Sequence, residues 1–181
     1  MEWFIPGTVL KADVASDVDQ QFSAMFLGGG IVLSQVTGIT GLEAYTVQNW
    51  VKRGFLSPPE RKHYSLEQLC RIININMLKN VLPMERIVGL LSYINGDLDD
   101  ESDDIIGDSQ LYFMFVRLAA QSRMMNTPQG RDECIAKELA DYREPVPGAK
   151  ERVEKVLTIM LTAWASAQLR QAAEQMLQEL N

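Results

Sequence analysis

Leu33-Ser34-Gln35-Val36-Thr37-Gly38-Ile39-Thr40-Gly41-Leu42-Glu43-Ala44-Tyr45-Thr46-Val47-Gln48-Asn49-Trp50-Val51-Lys52-Arg53-Gly54-Phe55-Leu56 is the stretch whose reading decides the fold. Leu33, Val36 and Ile39 recur at three-residue steps, Ser34 is placed to cap that helix, and Gly41 stands where a left-handed residue ends one. Leu42 then reads as an apolar plug before a second helix. In that helix Val47, Trp50 and Val51 share one side, while Tyr45, Gln48, Asn49, Lys52 and Arg53 cover the rest. Gly54 stops it. Trp50 is read as the core anchor of this unit rather than as a base-stacking residue, because so large an apolar ring is usually buried.

Downstream, Ser57-Pro58-Pro59 leads into a basic loop, Arg61-Lys62-His63, closed by Tyr64. Ser65 with Gln68 forms a capping box, and Leu66, Leu69, Cys70, Ile73 and Met77 continue an apolar helix face. Pro83 suits the first turn of the next helix, which carries Ile87, Leu90, Leu91 and Ile94 before Gly96. A helix exposing Gln and Asn but no acids can lie in a major groove, where amide side chains make paired bonds to adenine and nearby cations meet phosphates.

From Leu33 to about Leu91 this order resembles the winged helix-turn-helix domain of the MerR regulators. Helix, Thr-Gly turn, recognition helix, Gly-aromatic-Leu, Pro-Pro wing, Tyr-Ser-x-x-x-Leu and a helix pair follow one another, and Asn80 to Ile87 is similar to the hinge that opens that family's second helix pair. The run Tyr45 to Gly54 is closer still to a group of bacterial proteins of unknown function that carry a MerR-like head on an all-helical body. Two departures stand out. Gln48-Asn49-Trp50 replaces an Arg-Tyr-Tyr triplet, and the wing from Pro58 to Tyr64 is several residues shorter. Metal sensing does not carry over, because Cys70 and Cys134 do not reproduce the cysteine arrangement of the metal-sensing branch.

The 181 residues carry a net charge of −7, the wrong sign for a nucleic-acid binder until it is divided along the chain. Residues 31–96 hold seven Lys or Arg against four acids (+3), whereas 97–181 hold nine against sixteen (−7) and 1–30 come to −3. An acidic body would repel DNA except through the mildly basic head, since phosphate attraction is local under physiological screening; the alternative, only slightly less favoured, is that +3 is sampling noise in a short segment. No apolar run approaches a membrane span, and Met1-Glu2-Trp3-Phe4 lacks the basic-then-apolar pattern of a signal peptide, so no membrane association and a cytoplasmic location are expected. The two cysteines read as reduced and unpaired.

Residues 1–30 read as an N-terminal arm and helix. The arm's aromatic cluster is free to dock on a neighbour, the helix spans about Asp13 to Leu27, and Gly28-Gly29-Gly30 ends it as a C-cap rather than as a phosphate loop, which would need a preceding strand and a following Lys-Ser or Lys-Thr. Residues 97–107 read as a solvated acidic linker; the EF-hand order is absent. The helical body, 108–181, should contain a buried helix from Leu111 to Met125, a short amphipathic one marked by Ile135, Leu139 and Tyr142, and one long helix from Ala149 to Leu180. Along that last helix Leu169, Ala173, Met176 and Leu180 are spaced four, three and four, a seam that suits either packing within one bundle or a dimer contact.

Catalysis finds no footing. His63 is the sole histidine, no zinc spacing appears, and nothing orients the linker carboxylates. Nine methionines are read as core filler, with an apolar effector pocket as the lesser alternative. The expectation is therefore a non-enzymatic, all-α protein without cofactor or metal: a MerR-like helix-turn-helix head at 31–96 on a helical bundle body concerned with dimerisation, an unknown small-molecule effector, or both. It would be a sequence-specific regulator of transcription, a homodimer reading a palindromic site in double-stranded DNA. Gln48 and Asn49 would read bases, Tyr45 and Thr46 would touch base edges or phosphates, and Lys52, Arg53, Arg61, Lys62 and His63 would hold the backbone. The alternative is a helical interaction module that keeps the head's fold and binds a protein instead.

Overall fold

The computed structural model describes residues 3–12, 15–96, 98, 103–121 and 127–180. Helices dominate: α1 (Val18–Met25), α2 (Leu33–Thr40), α3 (Ala44–Lys52), α4 (Leu66–Leu78), α5 (Met84–Asn95), α6 (Asp108–Ala119), α7 (Pro128–Glu138) and α8 (Ala149–Gln178). Four two-residue strands, β1 (Trp3–Phe4), β2 (Lys11–Ala12), β3 (Ile31–Val32) and β4 (His63–Tyr64), form two antiparallel pairs. The molecule is thus predominantly all-α, and among the described residues no helix is long and apolar enough to cross a membrane.

The central element is α4, whose run Leu69 to Ile75 is buried on every side. A helix apolar all round must be covered all round, and α4 packs against α2, α5, α6 and α8. Its N-terminus carries the expected capping box: the Gln68 backbone N–H donates to Ser65 Oγ at 3.2 Å, and the Ser65 N–H donates to Gln68 Oε1 at 2.9 Å. In α6, Leu111, Tyr112, Phe115 and Leu118 are likewise buried, while the first half of α8 closes the core with Val153, Val156, Leu157 and Met160.

Three local expectations are corrected. The first dozen residues do not form a free arm: residues 3–12 fold back as a β-hairpin whose Ile5 is fully buried, with Tyr112 donating to the Pro6 carbonyl, Asn76 to Gly7 and the Val9 N–H to Ile39. Helix α1 starts at Val18 after a 3-10 turn and ends at Met25, so the three glycines lie beyond its cap. Gly30 instead permits a close approach, since a Cβ there would stand 3.1 Å from His63 Cβ and 3.2 Å from the Tyr64 carbonyl oxygen. Helix α2 begins one residue before Ser34; Val32 is its N-cap, and the Val32 N–H donates to Gln35 Oε1 at 3.0 Å. Of the acidic linker expected over 97–107, residues 97 and 99–102 lie outside the described residues, and at its end Ile105 and Ile106 are buried in the core rather than solvated; the end of the helix expected to reach Met125 also lies outside the described residues.

Candidate nucleic-acid interface

Helices α2 and α3 are joined by Gly41, Leu42 and Glu43. Gly41 is left-handed at φ 69°, its N–H donates to the Thr37 carbonyl at 2.8 Å, and a Cβ there would stand 2.8 Å from Val9 Cγ1. Only glycine meets both demands without strain. Leu42 is buried, and Glu43 caps the start of α3, where its charge complements the helix dipole.

Val47 and Trp50 anchor α3, Trp50 being only 3% exposed. Burying that indole fixes the rotation of the helix, and Tyr45 (73% exposed), Gln48 and Lys52 are thereby turned outward, with Thr46 and Asn49 half-buried beside them. Tyr45, Gln48, Asn49 and Lys52 fall at spacings of three, four and seven, which makes them one stripe. Gly54, at φ 72°, ends the element. Arg53 is less available than its sequence position suggests. Its guanidinium lies 4.4 Å from the centroid of the Phe55 ring and 3.6 Å from Glu85 at the start of α5.

The basic loop is a miniature hairpin. Glu60 and His63 form an isolated antiparallel bridge, the His63 N–H donates to the Glu60 carbonyl at 2.8 Å, and Arg61 and Lys62 both take positive φ, 47° and 69°. Two positive-φ residues are what a type I′ turn requires, normally filled by Asn-Gly. Here two long cations occupy that turn, both exposed. His63 also bonds through Nδ1 to the Arg61 carbonyl at 3.0 Å, so this nitrogen is the donor.

Pairing of β4 with β3 (Val32 with His63, Ile31 with Tyr64) ties the hairpin to the start of α2. At its base, Gln68 Nε2 donates to Ser57 Oγ and to the Ser57 and Pro58 carbonyls at 3.0 to 3.1 Å. Helix α2 touches both α3 and β4, so the α3 stripe and the Arg61-Lys62 tip flank one short helix. Such an arrangement offers amide side chains on a helix face together with two exposed cations on a tight turn.

Behind the hairpin lies a pair that sequence reasoning missed. Arg71 and Asp108, 3% and 8% exposed, meet at 3.2 Å, and Arg71 Nε also donates to the Phe55 carbonyl at 3.0 Å. Burial pushes the Asp108 carboxyl above its usual range, while Arg71 opposes that shift. The available signal was a single charge inside Leu69-Cys70-Arg71-Ile72-Ile73: an Arg on an apolar helix demands a buried partner. The Cys70 thiol is raised well above its ordinary value by burial, then by the charges of Glu67 and Asp108, which leaves it a poor nucleophile. Among the described residues no cluster of three His, Cys, Asp or Glu side chains is positioned for a metal ion.

The stretch holding these features has relatives. Over 86 residues the chain is 31% identical to the uncharacterized protein YkrK of Bacillus subtilis (strain 168), a match covering 45% of this chain and 37% of that protein. The alignment thus spans little more than a third of the relative's length. No solved structure matches. Residues 20–115, from α1 into α6, match the family described as a domain of unknown function, DUF1836, and with more than half of its length so matched the chain belongs to the DUF1836 family.

Proposed function

We propose that this protein is a sequence-specific, double-stranded-DNA-binding regulator of transcription that acts as a homodimer in the cytoplasm, with α2 and α3 as a MerR-like helix-turn-helix. The observation that carries the reading is the pairing of an acid-free helix face, Tyr45, Gln48, Asn49 and Lys52, with an adjacent tight turn that lifts Arg61 and Lys62 into solvent. Base edges need the first and phosphates the second. One such head makes few phosphate contacts and should bind weakly, whereas two linked heads address a palindrome.

The dimer contact is proposed for the second half of α8. Leu169, Met176, Leu177 and Leu180 are 62% to 81% exposed there, a row of apolar side chains that a second copy would cover. Arg170, at the root of this segment, donates to the Asn80 carbonyl at 3.3 Å, beside the turn into α5, and α5 in turn holds Arg53 of α3 through Glu85. A partner on the seam would therefore fix two α3 helices relative to one another.

The rival is a helical module that binds a protein. It is favoured by the net charge of −7 and by the Arg53–Glu85 contact, which takes one cation from the α3 surface. Retention on heparin and on bulk duplex DNA at low salt separates the two, with Arg61→Glu/Lys62→Glu as control. Retention lost in the control supports the regulator; no retention of the parent protein favours the rival.

A further inference from the structure

At the C-terminal end of α3, Gly54 takes φ 72° and turns the chain so that the Phe55 ring meets the Arg53 guanidinium, 4.4 Å from the ring centroid. Phe55 is itself held through its backbone. Its N–H donates to the Trp50 carbonyl at 2.9 Å, and its carbonyl accepts from the buried Arg71 Nε at 3.0 Å. A guanidinium stacked on a fixed ring keeps its plane and its fork of N–H donors, so little further order is lost when it forms paired hydrogen bonds to a phosphate.

Glu85 engages that fork only loosely. Its Oε1 stands 3.6 Å from Arg53 Nη2, beyond hydrogen-bond distance, and the two side chains are 74% and 49% exposed. Among the described residues the Arg53 guanidinium makes no hydrogen bond, so its donors remain open to a stronger acceptor. An exposed pair of this kind contributes little to folding. The carboxylate has a second source of stabilisation, because Glu85 lies in the first turn of α5, where the helix dipole favours an anion. Giving up Arg53 therefore does not leave Glu85 uncompensated, and the guanidinium can exchange one anion for another.

We infer that Arg53 on its Phe55 platform is a preset clamp for a DNA backbone phosphate, and that the Glu85 carboxylate is an internal stand-in which the phosphate displaces. This rests on the DNA-binding reading of α3. A recognition helix meets base edges mainly through its N-terminal half, so a cation at its C-terminal end suits the backbone instead. Phe55 is then a positioning residue that acts through Arg53, and Glu85 attenuates binding by competing for the same guanidinium.

Titration of mixed-sequence duplex DNA into the full chain, over a range of salt, tests the inference. Arg53 and Glu85 are both exposed, so their variants should keep the fold, which helicity and the urea midpoint check. Glu85→Gln should tighten binding about two- to fivefold, the range an exposed ion pair spans, and that gain should shrink at least about twofold in an Arg53→Ala background. Arg53→Ala alone should lower the slope of log affinity against log salt by about 0.9. Phe55→Leu should weaken the same contact, so Arg53→Ala added to it should cost less than it does alone. Three results would overturn the inference while leaving the DNA reading intact. These are an unchanged slope in Arg53→Ala, a full-sized loss from Arg53→Ala in the Phe55→Leu chain, and equal gains from Glu85→Gln with and without Arg53, which would mark plain repulsion between a carboxylate and phosphates. A parent chain that binds no duplex even at low salt would overturn both.

Discussion

Arg61 and Lys62 are held at φ 47° and 69° in the turn of the Glu60–His63 hairpin, a conformation that disfavours any residue with a Cβ. Replacing both by Ala removes the charges and keeps the strain; replacing both by Gly removes charges and strain together. A non-glycine residue in the left-handed region is penalised by about 1–2 kcal/mol, and glycine loses back about 0.5–1 kcal/mol in chain entropy, so the Gly pair should be more stable than the Ala pair by about 1–2 kcal/mol. Urea unfolding reads that difference directly. On DNA the two variants should be alike. Each phosphate contact contributes about 0.9 to the slope of log affinity against log salt, so losing two contacts lowers it by about 1.8, and the fall in affinity between 50 and 200 mM salt shrinks about twelvefold. A Gly pair no more stable than the Ala pair would refute the strain argument, and an unchanged salt slope would refute the phosphate role.

Gln48→Ala or Asn49→Ala should weaken binding to the preferred site by about 1–3 kcal/mol while leaving random duplex almost unaffected, as titrations on the two DNAs will show. Trp50→Ala should lower unfolding stability by about 3–5 kcal/mol in urea, because the indole is core rather than interface; a loss under 1 kcal/mol would contradict that. Cys70 should resist iodoacetamide in the native protein at pH 8 and react on unfolding, since burial holds its thiol far above that pH; rapid native labelling, mapped by mass spectrometry, would show an open core. Met176→Glu/Leu180→Glu should convert a dimer to a monomer in light scattering at tens of micromolar without loss of helicity, and a parent protein already monomeric with DNA present would remove the seam argument.

Elements governed by local rules were legible in the sequence. Gly41 ends α2 in the left-handed region, Ser65 and Gln68 cap one another, Trp50 is buried, and α8 runs almost to Leu180, because each depends on neighbours within a turn or two. Long-range chemistry was not. The hairpin of residues 3–12 is held by Asn76 and Tyr112, some 70 and 106 residues away, and the Arg71–Asp108 pair spans 37 residues, so neither leaves a periodic trace. The positive-φ turn was hidden for another reason: Arg-Lys is not the Asn-Gly that normally signals it. Ser34 misled because any small hydroxyl before an apolar repeat reads as a cap, whereas pairing of Val32 with His63 sets the helix start one residue earlier.

Selection of bound fragments from a random duplex library, at near-physiological salt and with the full chain, tests the central claim most directly. The account predicts enrichment of one palindromic site whose half-sites lie about one helical turn, 10–10.5 base pairs, apart, lost when Gln48 and Asn49 are both replaced by Ala. A library that emerges without any enriched sequence would contradict it.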